Sequence, residues 1–147
     1  MTEAEYYICE TQGKIFELAA DDGYDIEIFT NVYLKSDFCR RQFDTLYSRY
    51  QYADAEESWE IFLPEIEDRL HRYEDGQVFR GDVAWWFGFT YRQLWYESGV
   101  ASSNLADRVP VYDLVKLYPA YHTLDEEMAA EKLIAHYGLG RRRRDPA

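Results

Sequence analysis

One stretch constrains the fold more than any other. Between Asp82 and Ser98 the chain carries Val83, Ala84, Trp85, Trp86, Phe87, Phe89, Tyr91, Leu94, Trp95 and Tyr96 with little polar interruption. It is too short, and with Arg92 and Gln93 inside it too polar, to cross a bilayer, which takes roughly 18 or more apolar residues. Wound as a helix, it is apolar on nearly every side. Such a helix cannot lie on a surface; it has to sit in the middle of a bundle or against a partner. Gly99 ends it. The rest of the chain must then supply the elements that surround it.

Helical spacing recurs on both sides of this segment, whereas strict two-residue alternation is hard to find. Tyr7, Ile8, Ile15, Phe16, Leu18 and Ala19 predict a first helix over 3–20, ended by Asp21, Asp22 and Gly23. Asp25 is suited to cap a second helix with Ile28, Phe29, Val32 and Tyr33 on its inner side. Ser36 or Asp37 starts a third that carries Phe38, Phe43, Leu46, Tyr47 and Tyr50. Asp54 to Glu57 has the reciprocal capping pattern for a fourth, with Trp59, Phe62, Leu63, Ile66 and Leu70 following and Pro64 expected to kink or split it. Beyond the central helix, Ser102 to Asn104 opens a short helix, and Val111 to Tyr118 forms another, limited by Pro119. Thr123 to Glu126 is a second capping box, opening a last helix through Met128, Leu133, Ile134 and Tyr137 that Gly138 and Gly140 close.

The expected fold is therefore all-α: a compact bundle of seven to eight short helices around the aromatic helix at about 82–98. Glu74-Asp75-Gly76 is the best internal break. It separates an acidic half, 1–73, from an aromatic half, 77–140. Each half alone would bury too little surface to stand by itself, so 1–140 is read as one helical domain. Residues 141–147, with Arg141 to Arg144, are expected to form a flexible tail.

Charge narrows the functional classes. The 147 residues hold 28 acidic and 16 basic side chains, a net of −12. Residues 1–73 alone hold 17 acidic and 7 basic side chains, and the four arginines of the tail are the main cationic run. A folded body of that sign lacks the basic face that phosphate contact requires, so no direct nucleic-acid binding by it is expected. Disordered acidic chains are poor in aromatics, yet aromatic residues make up 18% here, 14 of them Tyr. An acidic, tyrosine-rich surface suits contact with a basic, partly apolar protein. The polar N-terminus from Met1 to Glu5 does not resemble a secretory leader, and Cys9 and Cys39 form no disulfide framework or zinc pattern. A cytoplasmic protein with two free thiols and no membrane contact is expected.

Catalytic signals are thin. His71, His122 and His136 never pair at four-residue spacing, and no phosphate-cradling glycine loop or nucleophile elbow occurs, so neither a metal nor a cofactor is expected. His122 stands just before a helix start, either as a ring that fixes the turn or as an acid–base or partner-contacting group. Arg92 reads either as a buried arginine that ties helices together or as a holder of an anionic substrate. Gly88 reads as a close helix contact. The residues offered for partner binding are Tyr91, Arg92, Trp95, Tyr121, His122 and Asp125.

The segment Ala84 to Gly99, followed by Tyr118-Pro119-Ala120-Tyr121-His122-Thr123-Leu124-Asp125, resembles small uncharacterised bacterial proteins encoded in two-gene modules, often beside an ADP-ribosyltransferase-like toxin. Tyr118, His122 and Thr123 are also similar to the end of a shorter helical family from the same neighbourhoods. The resemblance implies an antitoxin-like or accessory interaction protein and brings no catalytic residues with it. The leading expectation is thus a non-catalytic module that masks a basic partner such as a cognate toxin. An acidic nucleic-acid mimic that blocks a DNA- or RNA-binding enzyme comes second, and a small enzyme using His122 and Arg92 third.

Overall fold

The computed structural model describes residues 1–46, 54–72 and 79–142. Among them the chain forms eight α-helices: α1 Glu3–Asp21, α2 Ile26–Leu34, α3 Asp37–Gln42, α4 Ala55–Ile66, α5 Gly81–Ser98, α6 Ser102–Arg108, α7 Val111–Tyr121 and α8 Glu126–Tyr137. A 3₁₀ turn, Glu67–Arg69, follows α4. The all-α architecture read from the sequence is the one observed.

Local chemistry accounts for most of the helix starts. The side chains of Thr2, Asp25, Ser36, Asp54 and Asp125 each accept a hydrogen bond from the backbone N–H three residues on, which satisfies one of the donors that a helix N-terminus leaves open. Gly99 and Gly138, at φ 77° and 61°, close α5 and α8 in the left-handed conformation.

Helix α5 occupies the centre. Every residue from Phe87 to Tyr96 is buried. Helix α1 crosses it at a contact so close that two glycines are required. A methyl on Gly88 would lie 2.6 Å from the Gln12 carbonyl oxygen and 2.8 Å from the Phe16 ring, and one on Gly13 would lie 2.9 Å from the Trp85 carbonyl oxygen. Beside this crossing, Phe16, Phe29, Tyr33, Phe38 and Phe62 pack mostly edge-on or tilted, with Phe29 stacked on Tyr33 and neighbouring centroids 5.0 to 6.4 Å apart. The buried apolar side chains form one cluster that runs from Ile8 on α1 to Leu139 after α8.

Several boundaries differ from those expected. Helix α3 stops at Gln42, because the chain then turns Asp44 towards Arg92 and the start of α6. Leu46 is consequently exposed, while Tyr47 and Tyr50 lie outside the described residues, as does the break at 74–76. Neither internal proline splits its helix. Pro64 and Pro119 sit exposed in the last turns of α4 and α7, where a missing N–H deprives only one solvent-side carbonyl. The last cap is Asp125 instead of Thr123, whose hydroxyl donates backwards to the Ala120 carbonyl and finishes α7.

The basic tail also begins later than expected. The Arg142 backbone N–H donates to the Glu97 carbonyl at 2.7 Å, and its guanidinium donates to the carbonyls of Tyr96 and Trp95 at 3.1 and 3.0 Å. Arg141 pairs with Glu97 and Glu131, each at 3.3 Å. The open carbonyls and negative dipole end of α5 explain why two cations settle there. Residues 143–147 lie outside the described residues.

Candidate functional site

The six residues offered for partner binding fall into two groups that the fold keeps apart. Tyr91, Arg92 and Trp95 are interior side chains. Tyr121 ends α7, and His122 and Asp125 belong to the turn between α7 and α8. The first three therefore present no surface to a partner, for a reason that begins with Arg92.

Arg92 is fully buried, and it makes five hydrogen bonds to groups from four places in the chain. Its Nε donates to Gln12 Oε1 at 2.9 Å on α1. One terminal nitrogen donates to the Phe43 carbonyl at 3.1 Å and to Asp44 Oδ1 at 2.8 Å; the other donates to Cys39 Sγ at 3.2 Å and Ser102 Oγ at 3.0 Å. Asp44 is held in turn by the backbone N–H of Ser102 at 2.8 Å and by the Ser102 hydroxyl. Gln12 receives the Tyr33 hydroxyl and donates to the Gly88 carbonyl. Burial works to lower the Arg92 pKa, but Cys39, Asp44 and Tyr33 outweigh it and hold the group above its ordinary value. Its guanidinium also lies 5.2 Å from the Trp95 ring, on which Arg142 sits at 4.4 Å. The Tyr91 hydroxyl donates to the Val109 carbonyl. This is a polar clasp that ties α1, α3, α5 and α6 together.

Both cysteines are buried free thiols. Burial pushes Cys39 up to about 11 despite Arg92, and raises Cys9 further, so both stay protonated and unreactive near neutral pH.

At the α7–α8 turn, His122 Nδ1 lies 2.6 Å from the Tyr118 carbonyl oxygen, and its ring stacks on Tyr118 at 4.2 Å and 12°. Asp125 is occupied as the cap of α8. Tyr121 is half-buried against the core. Among the described residues no group of three His, Cys, Asp or Glu side chains could hold a metal ion, and no helix is long and apolar enough to cross a membrane.

A different place gathers acid and aromatic side chains. Tyr7, Glu10, Lys14 and Glu17 repeat along one face of α1 at helical spacing. The start of α4 brings Asp54 and Glu56 opposite them, and Trp85 of α5 closes the floor, giving an open groove of about 350 Å³. Four carboxylates there face one ammonium, and Lys14 is 3.9 Å from Glu17. Tyr7 is 44% exposed although it is a large ring in a well-packed protein. The 7-10-14-17 spacing was present in the sequence. What hid the site was the arrival of Asp54, Glu56 and Trp85, which only tertiary packing brings to that face. No family model, curated protein or solved structure matches the chain.

Proposed function

We propose that the protein is a non-catalytic binding module, antitoxin-like in that it masks a basic protein partner, and that the groove between α1 and α4 receives a basic segment of that partner. The observation that carries this reading is the coincidence of Glu10, Glu17, Asp54 and Glu56 with the rings of Tyr7 and Trp85 in one open groove. Carboxylates steer and pair a lysine or arginine, and a ring face beside them takes the same side chain by cation–π contact. Exposed Tyr and Trp are also the usual anchors of protein interfaces. One further fact favours binding over catalysis: Arg92 is consumed inside the clasp.

The test is capture of the tagged protein's partners from its host at low and at moderate salt, read by mass spectrometry. One stoichiometric basic protein, released as salt rises, is expected with the natural chain. It should be lost with Glu10→Lys combined with Glu56→Lys and retained with Glu27→Lys, a reversal outside the groove. Capture that ignores both salt and the groove reversals would refute the reading, and displacement of the partner by DNA would move it to nucleic-acid mimicry.

A further inference from the structure

We infer that the cavity between α5 and the α7–α8 turn is a binding site for a small, planar, uncharged molecule with an amide edge. The cavity measures about 90 Å³ and is separate from the interior clasp. Trp85, Trp86 and Phe89 form its apolar walls, Gln93 lies in its buried part, and His122 and Glu126 stand exposed at its mouth.

Gln93 is the first observation. It is 2% exposed in the middle of the central helix, and its amide nitrogen has no hydrogen-bond partner among the described residues. A buried donor without an acceptor costs stability, and an apolar side chain of the same shape would avoid that cost. Its place in the lining of a cavity supplies the reason to keep it: the N–H bonds wait for an acceptor that enters.

His122 is the second and independent observation. Its Nδ1–H donates to the Tyr118 carbonyl at 2.6 Å, which leaves Nε2 of the neutral ring as an acceptor. Stacking on Tyr118, itself edge-on to Trp86 at 5.6 Å, holds the ring in place before any ligand arrives. A donor in the buried part of the cavity and a ring acceptor among the residues at its mouth call for a ligand with the opposite pair, a carbonyl and an N–H, which is an amide. The aromatic walls favour a flat one. The Glu126 carboxylate at the mouth, which accepts from the Tyr6 hydroxyl at 3.3 Å, disfavours an anion. Size limits the ligand: the cavity is smaller than the roughly 150 Å³ that holds benzene, so a small ring enters it only with part of the ring at the mouth.

The experiment is an NMR titration of the full chain with 2-pyridone, a planar lactam, and with N-methyl-2-pyridone, which lacks the N–H. The lactam is expected to shift the Gln93 side-chain amide and the Trp85 and Trp86 indole resonances saturably, and the N-methyl form to bind about tenfold more weakly. Gln93→Leu should weaken the lactam about tenfold as well, while its melting temperature stays unchanged or rises, because no bond is lost in the free protein. Absence of saturable shifts in the natural chain would overturn the proposal and leave a cavity that holds water only. Equal affinity in Gln93→Leu would overturn it too, as would a marked fall in that variant's stability.

Discussion

Arg92 shows how one side chain can fix the meeting of four elements. A buried guanidinium is tolerated only when each N–H finds an acceptor, and here Gln12, Cys39, Phe43, Asp44 and Ser102 supply them. Removing the arginine strands Asp44, so Arg92→Leu is expected to cost about 3–5 kcal/mol in urea unfolding. Arg92→Lys should recover little of it, since a single ammonium cannot reach groups arranged around a planar fork. Replacing Asp44 and Arg92 together by apolar residues should cost less than the two single changes summed. Cys39 gives the clasp a pH signature. Burial raises its pKa from the usual 9 to about 11, so the folded state holds this proton more tightly than the unfolded chain does. The stability it contributes is complete below pH 9 and is lost as pH climbs towards about 11. Cys39→Ser should flatten that part of a stability–pH curve measured by urea unfolding, because serine does not ionise there.

At the scale of elements, the crossing of α1 and α5 and the end of α5 are the two joints that matter most. Gly88→Ala drives a methyl against the Gln12 carbonyl oxygen, and a thermal melt should report a loss of about 1–3 kcal/mol or more. Gly138→Ala meets open space and carries only the smaller cost of a left-handed backbone, about 1 kcal/mol. Arg142→Ala uncovers the carbonyls of Trp95 and Tyr96 and should lower stability by about 1 kcal/mol, with increased amide exchange in the last turn of α5. These joints mark the boundary of what the sequence makes legible. The central helix, the caps at Asp25, Ser36 and Asp54, and the stop at Gly99 are written in neighbouring residues, so local patterns suffice to read them. The partners of Arg92 stand 80, 49 and 48 residues away at Gln12, Phe43 and Asp44, and no spacing rule points to them. The cap at Asp125 is not legible in the sequence, because Thr123 offers an equally good local pattern. Only the carbonyl of Ala120, brought round by the end of α7, decides between them.

For the molecule as a whole, the central question is where an excess of carboxylates is concentrated and what it meets. The aromatic helix that dominates the sequence is spent on the core, which is why Tyr91, Arg92 and Trp95, chosen for their chemistry, have no surface to offer. Under the proposed reading, partner contact falls instead to side chains that look ordinary along the chain, Tyr7, Glu10, Glu17, Asp54 and Glu56, and to Trp85, the part of the central helix that reaches a groove. Trp85 also forms a wall of the Gln93 cavity, so the two sites share a side chain. Steering by an acidic groove acts on the encounter of two molecules, and salt screens it within about 10 Å at moderate ionic strength. The most direct measurement is the association rate of the captured partner against ionic strength, for the natural chain and for Glu10→Lys combined with Glu56→Lys. The account predicts a rate that falls at least tenfold from low to physiological salt in the natural chain and starts low and nearly flat in the variant. Equal rates with equal salt slopes for the two proteins would contradict it.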